Sequence, residues 1–315
     1  MAENKICGRF APSPSGRMHL GNIFCALLAW LSARAQNGNM LLRIEDLDTS
    51  RCTEEKAQVL MDDLLWLGLN WDYGAVPGKP ADEFYQSRRS CIYKKFFDNL
   101  SSKDLVYPCF CSRAELHAAS APHASDGHFV YPGTCRQLNN EQRTAKMAAC
   151  RKCSWRIKVP DDDICFNDLH YGAQSLNLAK EWGDFIVRRS DGIYAYQLAV
   201  VIDDALMGVT EVIRGRDLLT STAPQLYLYG LLGFTPPQFD HLPLLTAPDG
   251  RRLAKRDMDL DMGALRTHYK TPEKVIGKLA FLAGLTATDE PVKAKELISI
   301  FNWKKIPQQN IIVQN

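Results

Sequence analysis

The chain has 315 residues, 46% of them hydrophobic and 23% charged, a composition that lets a soluble globular protein bury a sizeable core in one large domain or two ordinary ones. With 38 Lys and Arg against 36 Asp and Glu, the net charge is +2, so any contact with a polyanion must come from local patches. Residues 1–10 carry Glu3, Lys5 and Arg9 and lack the apolar core of a signal peptide. The longest apolar run, Ile23 to Leu31, falls well short of the ~20 residues that span a bilayer, so secretion and membrane insertion are disfavoured and a cytoplasmic location is expected.

Residues 5–10 (KICGRF) predict a short buried strand, followed by a loop with Pro12, Pro14 and Gly16. A helix is expected from about Gly21 to Asn37-Gly38, where a residue suited to positive φ stops it. MLLRI (40–44) predicts an apolar strand with Glu45, Asp46 and Asp48 at its C-terminal end. Thr53 caps a further helix whose apolar positions are Val59, Leu60, Leu64, Leu65 and Leu67, and another helix is expected from about Ser87 to Leu100. Strands alternating with helices indicate an α/β unit with a parallel sheet, its first half spanning 1–103.

Between 104 and 180 the alternation breaks, and this stretch reads as an insertion with its own small fold. Five of the ten cysteines, Cys109, Cys111, Cys135, Cys150 and Cys153, fall within 45 residues here, which suggests a metal before it suggests disulfides. The others, Cys7, Cys25, Cys52, Cys91 and Cys165, read as small buried residues or inert thiols. After the insertion, 184–204 predicts a strand, an Asp191-Gly192 turn, then a strand or helix, and GVTEVIRGRDLL a strand leading into a helix. The α/β pattern thus resumes over 181–245, one domain split around an insert, and 246–315 turns helical and basic.

Two motifs carry phosphate chemistry. In Arg9-Phe-Ala-Pro-Ser-Pro-Ser-Gly-Arg-Met-His-Leu-Gly-Asn22 a strand ends, a stiffened loop turns and a helix begins close to His19. Helix N-termini offer unpaired N–H groups and partial positive charge to a phosphate. Gly21 would admit a nucleotide close to the backbone, and His19 could donate a hydrogen bond to a phosphate oxygen. The second motif, Arg251-Arg-Leu-Ala-Lys-Arg256 after a Pro248-Asp-Gly turn, puts four cations on one loop that could close over a triphosphate. Either alone is also what an ordinary corner or a solvated basic loop would look like.

Together the pair resembles the two signatures of class I aminoacyl-tRNA synthetases, the HIGH type as His19-Leu-Gly-Asn22 and the KMSKS type as Arg252-Leu-Ala-Lys-Arg256, with Arg252 for the first Lys and Ala254 for the Ser. RFAPSPSG, LLRIEDLDTSR, YAYQLAVVIDD and GVTEVIRGRDLL resemble the glutamyl branch. The resemblance implies a Rossmann-type parallel sheet split by a zinc-binding insertion, with the KMSKS-like loop and a small helical stem-contact region at the end. Roughly 60 residues follow that loop, too few for the anticodon-binding domain of full-length members. The arrangement is similar to the branch's short paralogues, which activate L-glutamate with ATP without needing tRNA and transfer it to queuosine at position 34 of tRNA(Asp). A truncated enzyme charging tRNA 3′ ends and a non-catalytic tRNA-binding paralogue are the rival readings, and a monomer is the default.

Carried onto this chain, the resemblance assigns glutamate to Arg9, Phe10, Ala11, Pro12, Ser13, Glu45, Tyr196 and Arg214. Two guanidiniums would answer the two carboxylates, and Glu45 the α-ammonium. ATP falls to His19, Gly21, Asn22 and Lys255, with His19 and Lys255 serving the chemistry and Mg²⁺ accompanying the nucleotide. One structural zinc is implied on Cys109, Cys111, Tyr131 and Cys135. Ligand chemistry alone would prefer His123 or His128 to a tyrosine, and Cys150/Cys153 offer a further C-x₂-C pair. Between 136 and 158, seven Lys/Arg stand against one acid, with Trp155 among them. Such a run either lines RNA phosphates and stacks a base, or is only a solvated face.

Overall fold

The computed structural model describes residues 5–112, 115, 130–149, 152–251 and 261–313. Its centre is a five-stranded, all-parallel sheet of β1 (Cys7–Phe10), β2 (Asn39–Leu42), β3 (Tyr73–Gly74), β9 (Glu211–Gly215) and β10 (Gln238–Leu242), in the order β10-β9-β1-β2-β3. β1 is followed by α1 (Leu20–Ala35), which returns the chain to β2. Its other neighbour, β9, arrives much later, with Gly8 opposite Glu211. The strand order therefore reverses beside β1, and a crevice opens at the C-terminal ends of β1 and β9, where open α/β sheets bind ligands.

The strands are buried on both faces. On β2, Met40 and Leu42 join one apolar cluster and Leu41 the other, as a two-residue period requires. One face is covered by α1, by α2 (Glu54–Trp66) and by the C-terminal segment. There Val275, Ile276 and Leu279 of a helix over Pro272–Leu282, with Leu297, Ile306 and Val313, share the cluster of α1. The other face is covered by α3 (Ser90–Ser102), by a helix over Tyr196–Leu206 and by one over Thr222–Leu232.

One local expectation is resolved to a residue and another changes. Asn37, at φ 54°, takes the left-handed turn after α1, while Gly38 is needed because a Cβ there would stand 2.8 Å from the carbonyls of Ala33 and Ile6. On α2 the buried stripe is Ala57, Leu60, Met61 and Leu64, with Leu67 just beyond, leaving Val59 and Leu65 exposed at 41% and 47%. The sequence 196–206 resolves as helix rather than strand.

After β4 (Val106–Cys109) come α4 (Asn140–Ala149), β5 (Ser154–Ile157), a hairpin of β6 (Asp163–Asp168) and β7 (Gly172–Asn177), α5 (Leu178–Glu181) and β8 (Ile186–Arg188). β4, β5 and β8 form one antiparallel sheet, so the third strand of this smaller unit comes from beyond residue 180. Val106, Ile157, Leu176 and Leu178 join the core cluster of Tyr93 and Leu198. Its packing is continuous with the main sheet's. Among the described residues, no helix is long and apolar enough to cross a membrane.

Candidate active site

The crevice beside β1 holds a cavity of about 540 Å³ lined by Arg9 through Ser13, His19, Gly21, Asn22, Glu45, Tyr196 and Arg214. One cavity thus gathers all the described residues singled out for glutamate and nucleotide. Lys255, with Arg252 and Ala254, lies outside the described residues. A second cavity, of about 370 Å³, shares Ser13, Ser15, Glu45 and Tyr196 with the first and extends to Asp48, Arg51 and Arg189.

At the nucleotide end, the motif's residues form a reciprocal helix cap. His19 Nδ1 accepts from the Gly21 N–H at 3.2 Å, and Asn22 Oδ1 accepts from the His19 N–H at 3.2 Å. With Nδ1 an acceptor, the neutral ring carries its proton on Nε2, where it is a donor. A Cβ on Gly21 would stand 3.2 Å from two atoms of that ring, so the glycine also makes room for the imidazole.

The other end is built on arginines. Arg9 is 5% exposed, donates to the Ile213 carbonyl at 3.4 Å and lies 3.8 Å from Asp204. Glu45 accepts from Arg43 at 3.0 Å; burial pushes its carboxyl up from the ordinary value, while Arg43 and Arg9 pull it down. Arg43, fully buried, also donates to Asp204 at 2.6 Å and lies 3.9 Å from Asp203. Asp203 in turn accepts from Arg89, Gln86 and Tyr93.

Arg214 is surrounded differently. It donates to His241 Nε2 at 3.0 Å, Gln225 Oε1 at 2.8 Å, Thr222 Oγ1 at 2.9 Å and the Leu218 carbonyl at 3.2 Å. Among the described residues it has no salt bridge. Burial lowers its affinity for the proton and also disfavours protonation of His241, whose Nδ1 lies 2.6 Å from Asp168. This guanidinium, 4% exposed, bonded to neutral groups and facing a cavity, keeps its charge available to an anion.

Arg43, Asp168, Asp203, Asp204, Gln225 and His241 were not singled out from the sequence. Asp203-Asp204 sits where a buried helix face meets paired acids, a signal that could have been used. Nothing local marks Asp168 or His241.

Cys109, Cys111 and Cys135 offer sulfurs that all lie within 4.8 Å of one another. Cys111 and Cys135 are 3.5 Å apart, and the Tyr131 oxygen is 3.5 Å from Cys109 and 3.7 Å from Cys111. A tetrahedral zinc with Zn–S bonds of ~2.3 Å separates its sulfurs by ~3.8 Å, so the four donors fit with slight expansion. The Cys135 N–H donates to the tyrosine oxygen at 2.8 Å and the Arg156 guanidinium lies 3.7 Å over the ring; burial and the neighbouring thiols push the Tyr131 hydroxyl up, and that backbone N–H works against them. Hydrogen bonds from Cys135, Tyr131 and Arg156 hold the Cys109 thiol down to about 4 against its burial. His123, His128 and Cys150 lie outside the described residues, and Cys153 is not part of the sulfur group.

At least three of the seven cations of the basic run are bonded within the protein. Arg156 bonds Cys109 and the Asp184 carbonyl, Arg136 bonds Asp184 and the Val159 carbonyl, and Lys158 bonds Asp104. Trp155 packs edge-on against Phe97, 5.4 Å between centroids.

Parallel sheet, switch-point cavity and capped helix together define an open α/β protein with a ligand crevice at the strand ends, and the chain belongs to a ligase family, the one described as tRNA synthetases class I (E and Q), catalytic domain, whose model matches residues 5–315. Among curated relatives, the glutamyl-Q tRNA(Asp) synthetase of Symbiobacterium thermophilum is 49% identical over 309 residues, covering 97% of this chain and 95% of its own. Glutamate–tRNA ligase 2 of Alkalilimnicola ehrlichii is 42% identical over 284 residues, 90% of this chain but 59% of that relative. The solved glutamate tRNA ligase of Elizabethkingia meningosepticum, in complex with its amino acid, superposes with a TM-score of 0.81 at 29% identity, covering 98% of this chain and 67% of that one.

Proposed function

We propose that the protein activates L-glutamate with ATP, without needing tRNA, and transfers the glutamyl group to queuosine-34 of tRNA(Asp). The observation that carries this is one cavity with two buried guanidiniums and a carboxylate at one end and a capped helix N-terminus at the other. Glutamate brings one cation and two carboxylates, matched by Glu45 on the α-ammonium and by Arg9 and Arg214 on the carboxylates, with Tyr196 as a further hydrogen-bond partner. The ATP phosphates would lie at the start of α1, where His19 Nε2 donates, and under Lys255. That end offers donors, so Mg²⁺ would be held mainly by the nucleotide's own oxygens.

The α-carboxylate attacks the α-phosphorus and pyrophosphate leaves; a cyclopentenediol hydroxyl of queuosine then attacks the acyl carbon and AMP leaves. Neither step needs a covalent enzyme intermediate, so the protein's work is placement and charge stabilisation. The second cavity, opening from Glu45 and Tyr196 toward Arg51 and Arg189, is where the acceptor nucleoside would enter. The name of the Symbiobacterium relative, matched along nearly its whole length, supports the acceptor. One zinc on Cys109, Cys111, Tyr131 and Cys135 would staple the β4–β8 unit, and nothing in the chemistry requires it to act as a Lewis acid. Metal analysis should find about one zinc per chain, and C109S or C135S should lose it and lower the melting temperature without abolishing pyrophosphate exchange.

The test is transfer of labelled glutamate to tRNA from cells that do or do not make queuosine. Labelling confined to queuosine-containing tRNA(Asp) supports the proposal. Equal labelling of tRNA(Glu) from either source would replace it with 3′-end charging. No labelling and no glutamate-dependent pyrophosphate exchange would leave a tRNA-binding protein.

A further inference from the structure

We infer that His241 and Asp168 are positioning residues for Arg214: the imidazole aims the guanidinium at the cavity without neutralising it, and the carboxylate fixes the imidazole in the one form able to do so. The inference rests on the glutamate reading above and deepens it to the choice of glutamate over glutamine.

The guanidinium Nε–H can only donate, so His241 Nε2, 3.0 Å away, must present its lone pair. The ring proton is then on Nδ1, 2.6 Å from Asp168 Oδ2. Asp168 Oδ1 is occupied by the backbone N–H groups of His170 at 3.0 Å and Tyr171 at 2.8 Å. All three side chains are buried, so none can exchange its partner for water without rearrangement. The negative charge of Asp168 stays one imidazole's width from the guanidinium. A carboxylate placed directly on Nε would use up that charge internally, and a substrate carboxylate would then gain little over an amide. An apolar side chain would instead leave a buried N–H without an acceptor.

Asp168 ends β6 in the hairpin, outside the parallel sheet whose strand β9 carries Arg214. The hairpin's turn is itself tied down: His170 Nε2 lies 3.0 Å from the Pro307 carbonyl, the Tyr171 hydroxyl donates to the Gln308 carbonyl at 2.9 Å, and Arg216 lies 5.0 Å over the Tyr171 ring. The hairpin and the C-terminal segment thus hold the far end of the Asp168–His241–Arg214 series.

Pyrophosphate exchange by the full chain, with glutamate or glutamine and with ATP varied separately, tests this. H241L should raise the glutamate KM about tenfold or more and move the ATP KM less than about twofold. H241Q, whose Oε1 stands in for Nε2, should recover most of the loss, and D168N should fall between H241Q and H241L. The double variant H241E/D168N should satisfy the Nε–H yet cut the glutamate-over-glutamine preference about tenfold or more. Unchanged preference in that double variant, or parallel rises in the glutamate and ATP KM across the series, would overturn the inference in favour of a purely structural role. If H241L does not fold, H241Q and the double variant decide. Wild-type protein without glutamate-dependent exchange would overturn the glutamate reading itself, a failure distinct from any pattern among the variants.

Discussion

Two buried arginine neighbourhoods border the candidate site, and they are built on opposite principles. Arg43 is surrounded by Asp204, Glu45 and Asp203, and its charge is consumed inside the protein. Arg214 is surrounded by an imidazole, two neutral oxygens of side chains and a carbonyl, and its charge is left for something else. The first is a cross-link between β2's end and the Tyr196–Leu206 helix; the second is, in the function proposed above, a receptor for a substrate carboxylate. Burial alone does not separate them, but the charge of their hydrogen-bond partners does.

The sharpest way to break this comparison is R43M. Removing the cation strands Asp204 and Glu45 in the interior, and denaturant unfolding should show a loss of about 3–5 kcal/mol. A loss under 1 kcal/mol would mean that Arg43 is not the cross-link described. R214Q should behave in the reverse sense, with stability little changed and kcat/KM for glutamate in pyrophosphate exchange down about 100-fold or more.

Asp240 sharpens the contrast from the acidic side. It is fully buried, accepts one backbone N–H and, among the described residues, has an oxygen without a hydrogen-bond partner and no salt bridge. Burial, with Glu211 and Asp168 nearby, pushes its carboxyl up to about 8. Because the folded value lies above the unfolded one, the folded chain keeps a proton that the unfolded chain releases, and stability falls as pH rises from about 4 to about 8. D240N should remove that part of the slope, gaining several kcal/mol on wild type across the window in urea midpoints taken at several pH values. A parallel pH profile would show that Asp240 is charged and compensated after all. The smallest effect belongs to T53A, which loses the acceptor for the Lys56 N–H at the start of α2. It should cost about 1 kcal/mol in thermal unfolding and leave both arginine neighbourhoods, and the glutamate KM, unchanged.

What the sequence discloses about this site follows the chain. The strand–loop–helix corner from Arg9 to Asn22 is legible because its parts are consecutive, and the cap made by His19, Gly21 and Asn22 is a local event. Glu45, Tyr196 and Arg214 could be named only because each sits in a string resembling one family. Their neighbours were missed for a physical reason: Asp168 and His241 are 73 positions apart and meet only when the hairpin docks on β10. Arg43 and Asp204, 161 positions apart, likewise become partners only across the finished sheet. Val59 and Leu65 misled for the converse reason, since an apolar side chain fits a helical period on either edge of the buried stripe and only the packing shows which edge is covered.

β1 takes one neighbour, β2, from nearby in the chain and the other, β9, from 203 positions on, where the Cys7 N–H meets Thr210. During synthesis at ~5–20 residues per second, β9 is made roughly 10–40 s after β1. Through that interval the nascent chain holds Arg9 and the start of α1 beside an open strand edge, with no Arg214 and no Tyr196. The pocket is therefore incomplete until about two thirds of the chain has been made, and any fragment released before then has half a pocket and an edge free to pair with another chain.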